Sequence, residues 1–600
     1  MDYAATNSLP EMFFQQAALY DDKPFLWRKL GHEWRATTWR EAADAVNALS
    51  HGLRALGVNP GDRVVIASEN RPEWLIADFA IMAAGAISVP AYTTNTAEDH
   101  LHVLSDSGAK LAIVSKPAIA ERLHPAARQS TETETIIAIE PGPDSAEGVR
   151  VISWDDALAT GRASQNDRGP DLPHLKRTDT ACIIYTSGTG GAPKGVMLSH
   201  GAILFNCMGA DALLAPLPEY GPGKEVFLSF LPLSHSYEHT AGQFFPVSIG
   251  AQIYYAAGLD KLVADMAAAR PTIMTAVPRL YEMIHARVLH RINSAGGMKK
   301  SLFMKAVNLG HTARTSPQAL SFGQRLLNRL LDRLVRRKVA DNFGGRLKAF
   351  VSGGAPLNPE IGEFFLALGV RILQGYGQTE SAPVISCNPV HNIKIDTVGP
   401  PLKDVMVRIA DDGEILVYGE LVMQGYWRNE AATKEAIQDY WLHTGDIGEI
   451  DNDGYIRITD RKKDIIVNSG GDNLSPQRIE GMLTVEPEIN QAMVYGDKRP
   501  HIVALIVPSE DAEIDWATGF TDEVFTSREA IMEHSGFRAH MGEAVTRVNE
   551  RLSQTERIRQ FVLVAEPFTT ENEMMTPSLK IRRHVIRKHF GAELEALYRK

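Results

Sequence analysis

The chain has 600 residues, 44% hydrophobic and 22% charged, with a formal net charge of −11. That length exceeds what one hydrophobic core serves, so at least two domains are expected, and the acidic balance excludes overall attraction to nucleic acid or to an anionic membrane. Three widely spaced cysteines, Cys182, Cys207 and Cys387, exclude a disulfide framework and point to a reducing compartment, with the thiols buried in the core or a pocket wall.

The opening MDYAATNSLPEMFF has no basic segment leading into an apolar one, and the apolar run 79–90 is too short to span a bilayer. A cytoplasmic protein is therefore expected. Residues 36–120 alternate helical patterns with strand-like runs at 63–68, 87–89 and 111–114, the mark of βα units on a mainly parallel sheet. The polar stretch 161–171 reads as an irregular surface connection. Runs 181–185 and 196–198 are predicted strands, followed by further strands at 226–230, 252–255, 272–276, 349–352 and 371–374, separated by helix-length segments. After about residue 400 the pattern shortens: strands at 405–409, 414–417 and 455–459 with Asp-Gly turns predict a small β-rich subdomain. The predicted fold is α/β. A large N-terminal domain (1–460) of mainly parallel α/β sheets plus that β-rich subdomain precedes a small mobile α+β domain (461–600).

Between two of the predicted strands lies YTSGTGGAPKGVMLSH, residues 185–200. Glycines 188, 190, 191 and 195 let backbone N–H groups converge on an anion, the hydroxyls of Thr186, Ser187 and Thr189 add donors, and Lys194 supplies a point charge. The loop is suited to a nucleoside triphosphate. A Walker motif needs glycine before its lysine and serine or threonine after it; here Pro193 and Gly195 flank Lys194. The segment instead resembles the phosphate-binding signature of the adenylate-forming superfamily, with Gly190 where a second threonine is usual. Further motifs fall in that family's order, from GDRV at 61–64 and NRPEW at 70–74 to Lys580.

The resemblance implies roles. Gly353, Gly354, Ala355 and Pro356 (in VSGGAPL) line an adenine; in QGYGQTE, Gly375, Tyr376, Gly377 and Gln378 border the nucleotide, with Tyr376 stacked on the base, Thr379 on the phosphates and Glu380 holding magnesium. A single hard carboxylate beside phosphate oxygens suffices for that ion. Residues 440–464 resemble the fatty acyl-CoA synthetase signature. Asp446 can accept both ribose hydroxyls and Arg461 offers a fixed fork of donors to ribose or phosphate, while Lys463 is the hinge position. Gly470 and Gly471 resemble the pantetheine-tunnel loop. Lys580, in TPSLK, matches the catalytic lysine that offsets charge at the α-phosphate. His235, in LPLSHSYEHT, borders the carboxylate. The implied reaction is ATP- and magnesium-dependent activation of a long-chain fatty acid to acyl-AMP and then to acyl-CoA, with a carrier protein as the alternative acceptor to coenzyme A.

Two rival classes remain open on sequence. His235, Glu238 and His239 spell H-x-x-E-H, an inverted zinc-protease motif, and a non-catalytic nucleotide- or acyl-binding module could share the fold. Finally, 325–338 (RLLNRLLDRLVRRK) reads as a basic amphipathic helix. It either packs with its leucines inward and its arginines in solvent, or meets the inner membrane face peripherally.

Overall fold

The computed structural model describes residues 1–142, 148–164, 172–186, 192–462, 465–470, 472–519, 525, 527–576 and 580–599. Among them two eight-stranded sheets dominate. One runs Val384–Cys387, Ile372–Gly377, Ala349–Ser352, Ile273–Ala276, Val226–Ser229, Gln252–Tyr255, Pro24–Leu30 and Glu33–Thr38; its five inner pairings, from Ile372–Gly377 to Pro24–Leu30, are parallel and both edges antiparallel. The other runs Gly425–Tyr426, Lys194–Ser199, Thr180–Thr186, Ile87–Ala91, Arg63–Ala67, Ala109–Val114, Thr135–Ala138 and Arg150–Ser153. The alternation of strand and helix patterns thus produces the expected α/β architecture. The edge hairpin Pro24–Leu30/Glu33–Thr38, with its mixed burial, carries too little alternation to be read in advance.

The helix Pro72–Ala83 explains the apolar run before the strand Ile87–Ala91. All its residues but Glu73 are buried, because it touches the helix Trp39–Ala55 and strands of both sheets. A helix apolar on most of its circumference, with Asp78 held by His239 and Gln243, requires such a place. No helix among the described residues is long and apolar enough to cross a membrane. Residues 161–164, expected as irregular, instead end the helix Trp154–Ser164. Gly161 packs there against Ala48, where a Cβ would lie 1.7 Å from the carbonyl oxygen.

The β-rich subdomain forms from Met406–Ile409, Glu414–Tyr418, Trp441–Ile450, Ile437–Gln438 and Ile456–Arg461. Beyond it, a three-stranded sheet centres on Ile502–Pro508, every residue of which is buried. Strand alternation divides it: Ile502, Ala504 and Ile506 join the cluster under the helices Pro476–Leu483 and Ser535–Glu550, while Val503, Leu505 and Val507 face the helix Arg583–Ala596. The small domain therefore owns its core.

Candidate active site

The site is built at strand ends. The antiparallel pair Thr180–Thr186 and Lys194–Ser199 sets Thr186 opposite Lys194 and so brings the ends of the phosphate loop together; Ser187, Gly188, Thr189 and Gly190 lie outside the described residues. The His102 ring donates from Nε2 to the Pro193 carbonyl at 2.8 Å, bracing the approach to Lys194. Lys194 Nζ stands 4.9 Å over the Tyr426 ring. The hydroxyl of Tyr426 donates to Glu380 Oε1 at 2.8 Å. One aromatic residue thus links the expected phosphate lysine to the expected magnesium carboxylate.

The strand Ile372–Gly377 delivers Gly375, Tyr376 and Gly377 in sequence, and the turn after it carries Gln378, Thr379 and Glu380. Gly377 cannot be replaced there, since a Cβ would lie 1.8 Å from the Pro383 carbonyl. Tyr376 donates its hydroxyl to Asp446 Oδ2 at 2.6 Å, and Arg461 Nε lies 3.2 Å from Asp446 Oδ1. Asp446 and Arg461 face each other in adjacent antiparallel strands. Burial, then the Asp446 carboxylate, holds the Tyr376 hydroxyl far above its ordinary range, so it remains a donor. Each Asp446 oxygen is oriented by a neighbour while retaining lone pairs for a diol.

After the strand Ala349–Ser352, Gly353 donates its N–H to the Ala276 carbonyl at 3.1 Å and lies against the Tyr237 ring, which a Cβ would approach to 3.0 Å. Gly354 follows with positive φ, and Ala355 and Pro356 are exposed. These loops share the carboxyl ends of parallel strands, where open α/β sheets hold ligands.

The LPLSH segment closes another side. Asn70 fastens it by donating from Nδ2 to Ser229 Oγ and the Leu231 carbonyl and accepting from the Leu233 N–H. Ser236 Oγ then reaches Thr379 Oγ1 at 2.9 Å. His235 accepts the Tyr237 N–H at Nδ1, and burial, with Lys580 adding to it, pushes the imidazole down to about 3. It is neutral at neutral pH. Its neighbours overturn the zinc reading. Glu238 is buried, accepting from Ser229 Oγ and Thr275 Oγ1 at 2.6 Å each, and desolvation raises its carboxyl to about 7. His239 is tied to Asp78 at 2.8 Å, and Glu238–Phe244 is a π-helix. Among the described residues no group of three ligands could hold a metal.

Lys580 arrives from the small domain. Its backbone N–H donates to Thr576 Oγ1 and its carbonyl accepts from the Thr576 N–H. The ammonium is partly buried within electrostatic reach of Arg461, Asp446, Glu380 and His235, and desolvation, then Arg461, lowers it to about 8. Among the described residues, polar contacts join the domain that carries it to the large one, His290 with Asp511 at 3.7 Å among them. Arg279 binds the Asn490 carbonyl and side chain, Asn358 Nδ2 donates to the Gly481 carbonyl at 2.8 Å, and Arg551 pairs with Glu360.

Other expected residues lie apart. Gly470 sits on an exposed small-domain loop, its N–H held by Asn468 Oδ1; Gly471 and Lys463 lie outside the described residues. Sequence reasoning missed Ser236, Tyr426 and His102. Their contacts span 143, 46 and 91 positions, and nothing local marks them.

Carboxylate, hydroxyl and lysine groups gathered at the ends of parallel strands, with a further lysine from a separate small domain, are an arrangement that suits an adenylate-forming enzyme. The model described as AMP-binding enzyme matches residues 13–427, and that described as AMP-binding enzyme C-terminal domain matches residues 463–600. The chain belongs to this AMP-binding enzyme family. It is 35% identical to a long-chain-fatty-acid–CoA ligase of Mycobacterium bovis, covering 99% of this chain and 97% of that one. It is 33% identical to the peroxisomal long chain acyl-CoA synthetase 6 of Arabidopsis thaliana, covering 94% and 82%. The solved A domain of carboxylic acid reductase from Segniliparus rugosus, in complex with AMP and a co-purified carboxylic acid, shares the fold with a TM-score of 0.79 at 20% identity, covering 98% of this chain and 94% of that one.

Proposed function

We propose that this enzyme joins a long-chain fatty acid to coenzyme A in two steps. The fatty carboxylate oxygen forms a bond to the α-phosphorus of ATP as the bond to pyrophosphate breaks, leaving acyl-AMP. The thiol sulfur of coenzyme A then bonds to the acyl carbon, AMP departs with the electron pair of the broken C–O bond, and the thiol proton passes to solvent. The observation that carries this reading is the convergence of Lys580 with Asp446, Arg461 and Glu380 across two domains. A mere nucleotide binder has no need of it.

Asp446, oriented by Tyr376 and Arg461, takes the ribose hydroxyls; Gly353 to Pro356 and Gly375 to Gln378 enclose the base and sugar. Thr186, Lys194 and Thr379 hold phosphate oxygens together with the 187–190 loop, and neutral His235 borders the carboxylate. Lys580 offsets the charge that grows at the α-phosphate, an electrostatic contribution that acts only as charge develops. Glu380 suits magnesium, since Tyr426 fixes one hard carboxylate oxygen beside the phosphate lysine. The ion, when bound, would supply further neutralisation of the polyphosphate.

The domain boundary is put at 460/461, one residue before the strand Ile456–Arg461 ends. Lys463 serves as hinge, and Gly470 and Gly471 serve the thiol tunnel in the second step. The protein works in the cytoplasm with peripheral contact at the inner membrane face through 325–338. Pyrophosphate release across a panel of carboxylic acids, with and without coenzyme A, tests the reading: long fatty acids should trigger release while acetate and benzoate should not, and thioester should form when coenzyme A is present. A preference for acetate or benzoate would overturn it.

A further inference from the structure

The segment 278–342 folds as a helical bundle, Pro278–Ala295, Gly297–Thr315, Phe322–Leu331, Asp332–Arg336 and Arg337–Asn342, beside the helix Pro359–Ala367. Its packing runs opposite to the simple expectation for an amphipathic helix. The inward residues are few: Leu331 is fully buried, Leu327 and Val335 half so. Arg336, an arginine, is the principal anchor, donating to the carbonyls of Ala306, Asn328 and Ala367 and to Asn328 Oδ1. Leucines that the pattern would bury point out instead. Phe322 is 86% exposed, Leu326 62%, Leu330 52% and Leu334 46%.

These four recur every fourth residue, and so do Arg325, Arg329, Arg333 and Arg337, all exposed. A ladder of apolar side chains therefore runs beside a ladder of guanidinium groups. From 322 to 338 there are six cations against one carboxylate, Asp332, and that carboxylate is paired with Arg336. The chain as a whole is acidic, at −11, so this patch carries the sign opposite to the protein's net charge. An exposed apolar stripe rimmed by one sign of charge marks an interaction surface.

We infer that this face docks the enzyme on an anionic lipid bilayer, with Phe322, Leu326, Leu330 and Leu334 inserted at the acyl boundary and the arginine ladder on the headgroup phosphates. Charge decides the occupant. A second copy meeting this face through a two-fold contact would set arginine ladders against each other, a like-charge juxtaposition that opposes association. A bilayer bearing anionic headgroups satisfies both ladders at once, by apolar burial and by attraction to phosphate. The inference deepens the peripheral contact proposed above by naming the inserting residues, and it rests on the fatty-acid reading only for its purpose, since fatty acid resides in the bilayer.

The test is co-sedimentation of the full chain with vesicles of phosphatidylcholine alone or mixed with phosphatidylglycerol, at low and high salt. The protein should partition to the mixed vesicles and detach as salt rises. A variant with Phe322→Ser, Leu326→Ser and Leu330→Ser should lose at least about tenfold in partitioning, and one with Arg325→Glu, Arg329→Glu and Arg333→Glu should lose more. Both variants should retain acyl-CoA formation from detergent-dispersed fatty acid. That retained activity shows that they fold, and its absence in the wild type would fault the ligase reading without touching the vesicle result. Equal binding to both vesicle types, unchanged binding by either variant, or a wild-type dimer that the serine variant splits without change in vesicle binding would each overturn the docking.

Discussion

The two halves of the active site are made differently. On the large domain, Tyr376 orients Asp446, Tyr426 orients Glu380 and Ser236 meets Thr379, each side chain fixed by a partner from another element. The small domain brings Lys580, whose backbone is held by Thr576, and among the described residues it meets its neighbour through polar contacts such as Arg279 with Asn490. In the proposed reading, nucleotide recognition belongs to the mutually braced side chains of the large domain and charge compensation to a lysine carried by a separate body, so that preorganisation serves binding and the lysine serves timing.

The strongest way to break this division is at Lys580. Lys580→Ala should lower acyl-AMP formation by about 10² to 10³, the usual cost of removing a preorganised charge stabiliser. It should still convert supplied acyl-AMP and coenzyme A to thioester. Single-turnover assays of each half-reaction decide it, and equal losses in both would mean that the two halves are not separable.

The second test uses pH. Desolvation lowers the Lys580 ammonium to about 8, so the cation is present below that value and lost above it. The kcat/KM of adenylation should accordingly fall about tenfold per pH unit above about 8. Lys580→Arg keeps its charge over this range and should flatten the alkaline limb at a lower plateau. A wild-type profile flat to pH 10 would contradict the assignment.

On the large domain, Tyr426→Phe removes the donor that orients Glu380 while keeping the ring under Lys194. The KM for magnesium-ATP should rise about tenfold, the scale of losing one hydrogen bond to a charged group, with the thioester step unchanged. Steady-state kinetics under varied magnesium and ATP read this directly. The smallest effect is expected at the domain seam. Arg279→Ala removes the contacts to Asn490 and should slow adenylation by about two- to fivefold, since partly exposed polar pairs contribute little. Faster or unchanged thioester formation from acyl-AMP would sharpen the contrast, and slower formation would count against it.

Much of this was legible in the chain itself. Runs such as 226–230 and 349–352 predict buried parallel strands and the structure has them, because unbroken apolar runs between turn residues leave little alternative. The phosphate-loop anchors, Tyr376, Thr379, Glu380, Asp446, Arg461 and Lys580 also converge around one site. Contacts that join residues far apart in sequence were not legible, as at Ser236 and Tyr426, since no local pattern encodes a tertiary neighbour. The helix after Ser321 taught a third lesson. Periodicity showed two faces, but packing chose which one lies inward, and Arg336 rather than the leucine ladder became the anchor.

Lys580 has a consequence for proton traffic. Docked, it holds its proton only up to about pH 8; released to water it returns to an ordinary ammonium value near 10.5. In the proposed cycle without nucleotide, a departure of the small domain near pH 8 would therefore draw a fraction of a proton from the medium, and its return would give it back. The docked form binds fewer protons, so rising alkalinity between these two values favours docking.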